Sequence, residues 1–323
     1  MTKYIVFILL FAINLFATET DDRFLVGEYP LQKVVDGDTV KAEGLDASVR
    51  ILFIDTEEAF KHKTAYEKTK EISDNWDDYL ASKMINKKSK PIKFNTPNGY
   101  QAAVWTKEFF RDVSVIRLEY DNLESKKGFY GRYLAYVFAK KGDKWVNFNL
   151  EIIKHGYSPY SAKYGRSIRF HKEFTEAQEF AKSKKIGIWN EKGKHYPDYD
   201  ERLAWWDKRG EQIDTYRTKY KSEFLFMGGN DFDYYNLKKF IDKDVKLFGL
   251  LSGTLEEMDE FTAKMPVKQF VDVYLHYPKR KGYDLKKLKE MEDYYIYVTG
   301  TLKLDQDGKY HVYIKDKSGL KSE

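Results

Sequence analysis

The sequence predicts a mainly β protein with helices set among its strands: a small Greek-key barrel followed by a second β-rich unit. Three observations carry this. Short apolar, β-branched and aromatic segments recur between turn residues. Segments of helical period separate some of them. The aromatic, charged stretch 198–220 then ends at Met227-Gly228-Gly229-Asn230, and strand-like alternation resumes beyond it.

The elements follow in order. Val34-Val35 leads into Asp36-Gly37-Asp38, a tight turn, and then into Thr39-Val40-Lys41-Ala42. Residues 49–54 are nearly all apolar, which predicts a buried strand. Residues 61–98 are polar and charged, with a helical stretch over 76–85, broken by Pro91 and by Asn95-Thr96-Pro97-Asn98-Gly99. A helix is expected over 102–110, strands over 113–120 and 133–138, and a short helix over 149–154 ended by Gly156. Phe170, Phe174, Ala177, Phe180 and Ala181 recur at helical spacing, and Gly187-Ile188-Trp189 closes the unit. Strands with inserted helices and a terminal helix suit a barrel of the oligonucleotide-binding type. In the second unit, residues 245–251, 270–275, 295–304 and 310–314 read as strands and 284–291 as a helix, an order that again suits such a barrel.

Composition narrows the chemistry. The net charge is +5, from 56 basic and 51 acidic residues, which accommodates a nucleic-acid partner without requiring one. No cysteine is present, so disulfides, thiolate catalysis and cysteine-bound zinc are excluded. Six histidines form no His-x-x-x-His pair, so a metal here is expected to be a hard cation held by oxygen. Lys3, the apolar run 4–16 and Ala17 have the layout of a signal peptide over residues 1–17. That predicts a secreted or periplasmic protein with no stable membrane association after cleavage; an uncleaved anchor is the alternative.

Three segments carry candidate chemistry: Asp36-Gly37-Asp38-Thr39-Val40, then Arg50 through Asp55-Thr56-Glu57-Glu58, then Tyr130-Gly131-Arg132-Tyr133-Leu134-Ala135-Tyr136. Singly, each reads as structure: a turn, a helix cap, a surface hairpin. In this order, and with Phe148-Asn149, Gly156 and Gly187-Ile188-Trp189 behind them, they resemble the staphylococcal nuclease family over residues 34–189.

The resemblance implies a five-stranded Greek-key barrel with three helices and a Ca²⁺-dependent hydrolysis of DNA or RNA that leaves 3′-phosphates. It implies that Asp38, Asp55 and the Thr56 carbonyl hold Ca²⁺, that Glu58 is the general base, and that Arg50 and Arg132 hold the scissile phosphate. Asp36 lies nearby. Tyr130, Tyr160 and Tyr164 are candidates for nucleotide contact, with core packing the alternative for the last two. The sequence departs from the family at Glu57, where the family has proline. That departure is expected to loosen the loop and add negative charge near the metal. Phe129 replaces a family lysine, and the loop after Glu58, residues 61–99, is much longer.

Retention of Asp38, Arg50, Asp55, Glu58 and Arg132 favours an enzyme, expected as a monomer, over two alternatives, a catalytically dead nucleic-acid or protein-binding module of the same fold and a calcium-stabilised envelope protein. The domain reading is a nuclease-like domain over 18–195, a helical, aromatic linker over 196–241, and an auxiliary barrel over 242–323. In that last unit Tyr277, Lys279, Arg280, Lys281, Tyr283, Lys286, Lys287 and Lys289 are a candidate strand-binding surface, with a solvated basic loop or a protein-docking module the alternative. On this reading a chain ending after Gly193 keeps its activity on short oligonucleotides.

Overall fold

The computed structural model describes residues 22–85, 91–123, 126–128, 130–228, 234–268, 271–315 and 320–321. The signal peptide expected at 1–17 and the departure at Phe129 lie outside them. Two β-barrels stand in the chain, joined by one helix.

The first barrel contains β1 (Leu25–Val34), β2 (Thr39–Ala42), β3 (Val49–Ile51), β4 (Val115–Glu119) and β5 (Tyr133–Lys141), with β6 (Lys144–Asn147) hairpinned onto β5. The strand β1 pairs antiparallel with both β2 and β4, and β2 with β3. Closure comes from β5, antiparallel to β4 and parallel to β3, with Val49 opposite Tyr133. Val40, Val49, Ile51, Ile116, Leu118 and Val137 are buried in its core. The segment 135–139 is buried throughout, because its outward residues are covered too. Tyr136 packs edge-on against Phe170 and near Phe174.

Helices fill the connections. They are α1 (Ala65–Asp74), α2 (Trp76–Ile85), α3 (Pro97–Phe109), α4 (Phe148–Lys154) and α5 (His171–Ser183). The buried residues of α5 are Phe174, Ala177, Gln178 and Ala181, an i, i+3, i+4, i+7 stripe. Phe180 falls off that stripe and is exposed, beside Lys154 and Lys184. Gly156 and Gly187 touch backbone to backbone: a Cβ on Gly187 would stand 2.0 Å from the Gly156 oxygen, so neither accepts a side chain.

The second barrel is built from β8 (Asp244–Leu250), β9 (Ser252–Glu256), β10 (Glu260–Lys268), β11 (Val271–Pro278), β12 (Tyr295–Leu304) and β13 (Tyr310–Ile314), with α7 (Leu285–Glu290) between β11 and β12. The short strands β7 (Leu225–Phe226) and β14 (Leu320–Lys321) add to β8 and β12. Taking β8 and β9 as two halves of one strand, its pairings repeat those of the first barrel: β9 with β10, β10 with β11, β11 parallel to β13, β13 with β12, and β12 with β8. Both units therefore have the oligonucleotide-binding topology expected from the sequence. Tyr277, one of the surface candidates, is fully buried here and packs on Tyr283.

The helix α6 (Tyr199–Thr215) joins the two. Its first half belongs to the nuclease-like unit. Arg202 donates to the Ile92 carbonyl at 2.7 Å and pairs with Asp198, which accepts from the Ile92 amide. Its second half touches both units: Arg166 of the first pairs with Asp207 and Asp214, while Gln212 exchanges two hydrogen bonds with the Tyr295 backbone and Tyr216 just beyond stacks on Phe248 at 4.6 Å. The expected linker 196–241 is thus a structural strut at its start. The described residues of the segment 61–99 likewise form two helices, α1 and α2, and an extended stretch returning to the start of α3 rather than a loop. That stretch is pinned by Tyr196, whose hydroxyl donates to the Phe94 carbonyl at 3.0 Å.

The expectation that a chain ending after Gly193 keeps its activity therefore changes. Such a chain lacks Tyr196, Asp198, Tyr199 and Arg202, leaves the buried Glu57 carboxyl with Thr96 alone of its three donors, and removes the side chains that Ile92 bonds through its amide and carbonyl. A buried polar group left without its hydrogen-bond partner costs about 1–3 kcal/mol. We expect the chain ending after Gly193 to unfold cooperatively at much lower temperature than the full chain, or not to fold. Circular dichroism melts of the two decide it, and equal melting temperatures would contradict the reading.

Candidate active site

The site forms where the turn after β3 meets the start of β2. Asp38 closes the Asp36-Gly37-Asp38 turn, and its carbonyl accepts from the Ile51 amide at 2.9 Å, which locks the turn to β3. Thr39 stands opposite Arg50 in register. After Ile51 the chain leaves the strand and Phe53 takes a left-handed φ of 58°. The buried strand expected over 49–54 therefore ends early, and this bend swings Asp55 back toward Asp38. The bend is held from behind. Asn149 accepts from the Val137 amide and donates to the Leu52 carbonyl at 2.7 Å; the Ser161 amide donates to Phe53, and Ser158 Oγ accepts from the Asp55 amide.

Arg50 joins the two aspartates. Its Nη1 ion-pairs with Asp38 Oδ1, and its Nη2 lies 2.6 Å from Asp55 Oδ1. Asp38 and Asp55 are only 5% and 6% exposed, so their charges need partners. They are served unequally. Burial pushes Asp38 from the ordinary 3.8 up to about 6; Arg50 only partly offsets this, and Asp36 and Asp55 add to it. Burial also acts on Asp55, but Lys163, Arg50 and Lys93 outweigh it and hold that carboxyl well below the usual range. The Lys163 ammonium is 3.0 Å from Asp55 Oδ2. Lys93 reaches in from the 61–99 insertion, 4.0 Å from Asp55 and 3.9 Å from Glu58.

Thr56 sets its hydroxyl 3.4 Å from Asp38 Oδ2. Glu58 is the exposed carboxylate of the group, with its side chain half open to solvent. Its backbone is rigidly held: the amide donates to the Tyr196 hydroxyl, and the carbonyl accepts from the Thr96 amide. The start of α3 comes so close that a Cβ on Gly99 would stand 2.2 Å from the Glu58 oxygen.

Glu57 does the opposite of what its replacement of proline suggested. It is 3% exposed, and its carboxylate accepts from Thr96 Oγ1 at 2.5 Å, the Tyr196 amide at 2.6 Å and the Tyr199 hydroxyl at 2.8 Å. Burial raises its pKa even with these donors. The loop is clamped, not loosened, and the charge is engaged by this network.

The remaining candidates divide. Arg132 immediately precedes β5, two residues before Leu134, which is the register partner of Arg50. Its guanidinium carbon lies 5.9 Å from the ring of the exposed Tyr130. Tyr164 is 68% exposed and its ring stands 5.3 Å from Lys163 Nζ, beside the aspartates. Tyr160 is a core residue: its ring packs on Phe53 and Phe174, and its hydroxyl contacts His171 and accepts from the Ser167 amide. No face of it is offered to a nucleotide, so the core alternative holds for Tyr160. Sequence reasoning missed Lys163, Lys93, Ser158, Tyr196 and Tyr199. Lys163 adjoins a residue that was singled out; the others lie in segments without a motif.

Among the described residues no group of three or more His, Asp or Glu side chains is gathered as a metal site. The side-chain donors are two carboxylates, and the Thr56 carbonyl would be a main-chain third. Such oxygens fit a hard cation, and the undercompensated burial of Asp38 is what a cation would relieve.

The family model of staphylococcal nuclease homologues matches residues 48–191, which include Arg50, Asp55, Thr56, Glu58 and Arg132. An uncharacterized protein of Methanocaldococcus jannaschii is 34% identical over 160 residues, covering 49% of this chain and 69% of the relative. The chain belongs to the staphylococcal nuclease homologue family. The family match begins after the Asp36–Asp38 turn and ends before α6 and the second barrel.

Proposed function

We propose that the protein is an exported, monomeric, Ca²⁺-dependent nuclease that hydrolyses phosphodiester bonds of DNA or RNA, and that residues 34–215 are its catalytic unit. The observation that carries this reading is the joining of Asp38 and Asp55 through Arg50, beside the half-exposed Glu58. A binding module needs no pair of buried carboxylates matched to a cation.

Asp38, Asp55 and the Thr56 carbonyl would hold Ca²⁺, which when bound withdraws charge from a phosphoryl oxygen. With the carboxylates so engaged, Arg50 turns guanidinium N–H groups to the scissile phosphate, and Arg132, just ahead of β5, is the second guanidinium for it. Two planar donors offset the charge that builds on the phosphoryl oxygens as a fifth oxygen approaches. Glu58 accepts a proton from the attacking water. The new P–O bond forms as the P–O5′ bond breaks, and the departing O5′ takes a proton from solvent water, leaving a 3′-phosphate and a 5′-hydroxyl. The exposed Tyr164 and Tyr130 are the candidates for stacking on flanking nucleotides, and a phosphate-centred clamp serves DNA and RNA alike.

A zymogram on DNA and on RNA, with Ca²⁺ or with chelator, tests the activity; full cleavage in excess chelator contradicts it. Arg50→Ala, Arg132→Ala and Glu58→Ala are each expected to lower the rate by about a hundredfold or more. Near wild-type rates in all three, with intact circular dichroism, would overturn the assignment.

The pH dependence follows from Asp38. Its folded value, about 6, lies above the unfolded 3.8, so its share of metal-free stability is complete below pH 3.8 and lost as pH rises through 6. Ca²⁺ takes the ionised form and so competes with this proton below pH 6. The rise in melting temperature on adding Ca²⁺ should therefore be large near pH ~7.5 and shrink steeply toward pH ~5. An equal rise at both pH values would show that Asp38 is not a ligand.

A further inference from the structure

Lys163 is held in the site by contacts that no catalytic role so far described uses. Its segment is stitched to the turn that carries Asp55: Tyr160 bridges to Ile54, and the Ser161 amide donates to Phe53 at 2.8 Å. The side chain is 15% exposed. Its ammonium sits 5.5 Å from the Trp206 ring and 5.3 Å from the Tyr164 ring, with Asp55 Oδ2 at 3.0 Å. Trp206 belongs to α6 and is 1% exposed, so one wall of this niche is built by the strut between the two barrels. Two aromatic faces and one carboxylate make a niche for a cation.

The two aspartates differ in what they have left to give. Asp55 has Arg50 on Oδ1 and Lys163 on Oδ2, so both oxygens already face a positive charge. Asp38 has Arg50 on Oδ1 and only the Thr56 hydroxyl, at 3.4 Å, on Oδ2. A divalent ion can reach Asp38 Oδ2 without displacing a cation. At Asp55 it meets one, and like charges within a few ångströms repel strongly where water is scarce.

We propose that Lys163 is a built-in competitor of the divalent cation, holding Asp55 Oδ2 in the metal-free protein and setting the metal affinity of the site. This rests on the metal reading above. Lys163 is a positioning residue in this role, acting through Asp55. It has two effects of opposite sign: it stabilises the metal-free site by neutralising a buried carboxylate, and it weakens the binding of the ion that would take its place. A residue with a merely structural role would move the first and leave the second.

The test is calorimetric titration of Ca²⁺ into the full mature chain, with thermal melts of the same samples without metal. Lys163→Met should bind Ca²⁺ at least about tenfold more tightly than wild type, because one opposing charge is gone. Its metal-free melting temperature should be lower, since Asp55 loses a partner. Lys163→Arg, which keeps the charge, should stay near wild type in affinity. Lys163→Gln, which keeps a donor toward Asp55, replaces the methionine variant if that one does not fold, and should also bind more tightly. Detectable Ca²⁺ binding that is equal in wild type and Lys163→Met, or weaker in the variant, overturns the competition while leaving the metal reading intact. Binding by the variant alone supports the competition in its strongest form. No binding by either up to about 10 mM, weaker than any ordinary protein calcium site, overturns both.

Discussion

The buried carboxylate of Glu57 is the constraint on which the arrangement depends. One oxygen takes the Thr96 hydroxyl; the other takes the Tyr196 amide and the Tyr199 hydroxyl. These donors come from the end of the 61–99 insertion, the segment after the family match, and the first turn of α6. A carboxyl group that is 3% exposed is tolerable only while its hydrogen-bond partners stay in place. The requirement fixes three stretches of chain at once, and the residue they surround directly precedes Glu58. Thr96 passes the constraint on: its hydroxyl also accepts from the Gly99 amide, capping α3 against the Glu58 carbonyl.

Around that anchor the site is an exercise in balancing buried charge. Arg50 cannot fully serve both Asp38 and Asp55, and the structure resolves the shortage unevenly. Lys163 and Lys93 serve Asp55, and Asp38 is left with its carboxyl pushed up to about 6. Lys93 comes from the insertion, and the niche of Lys163 is walled by Trp206 on α6. The additions to the first barrel therefore reach the carboxylates themselves, and the second barrel is coupled to them through the same helix, by way of Gln212 and Tyr295.

Much of this was legible in the sequence. The strands 133–138, 295–304 and 310–314 and the helices around 149–154 and 284–291 were visible because their turn residues and apolar periods are strong. The Asp-Gly-Asp turn, Arg50 and Asp55 were visible because they stand in a recognisable order. What escaped has physical reasons. No residue of β1 is fully buried, and Gly27 and Pro30 interrupt it, so it carries no clean alternation. The hairpin of β9 and β10 is acidic at its turn and hides two strands. Residue 57 misled because a glutamate in place of proline suggests a freer backbone, whereas its side chain found three donors from segments that are distant in sequence. Tyr160 and Tyr164 are four residues apart and look alike; only the fold separates the core ring from the exposed one.

The central claim, that Glu57 holds the loop carrying Glu58 largely through residues outside the family match, is tested most directly by amide hydrogen exchange on Glu57→Ala and wild type. The account predicts that protection falls together at the Glu58, Thr96, Gly99 and Tyr196 amides, while the β4 and β5 amides of the barrel keep theirs. Unchanged protection at Glu58 and Thr96 in a folded Glu57→Ala chain would contradict it.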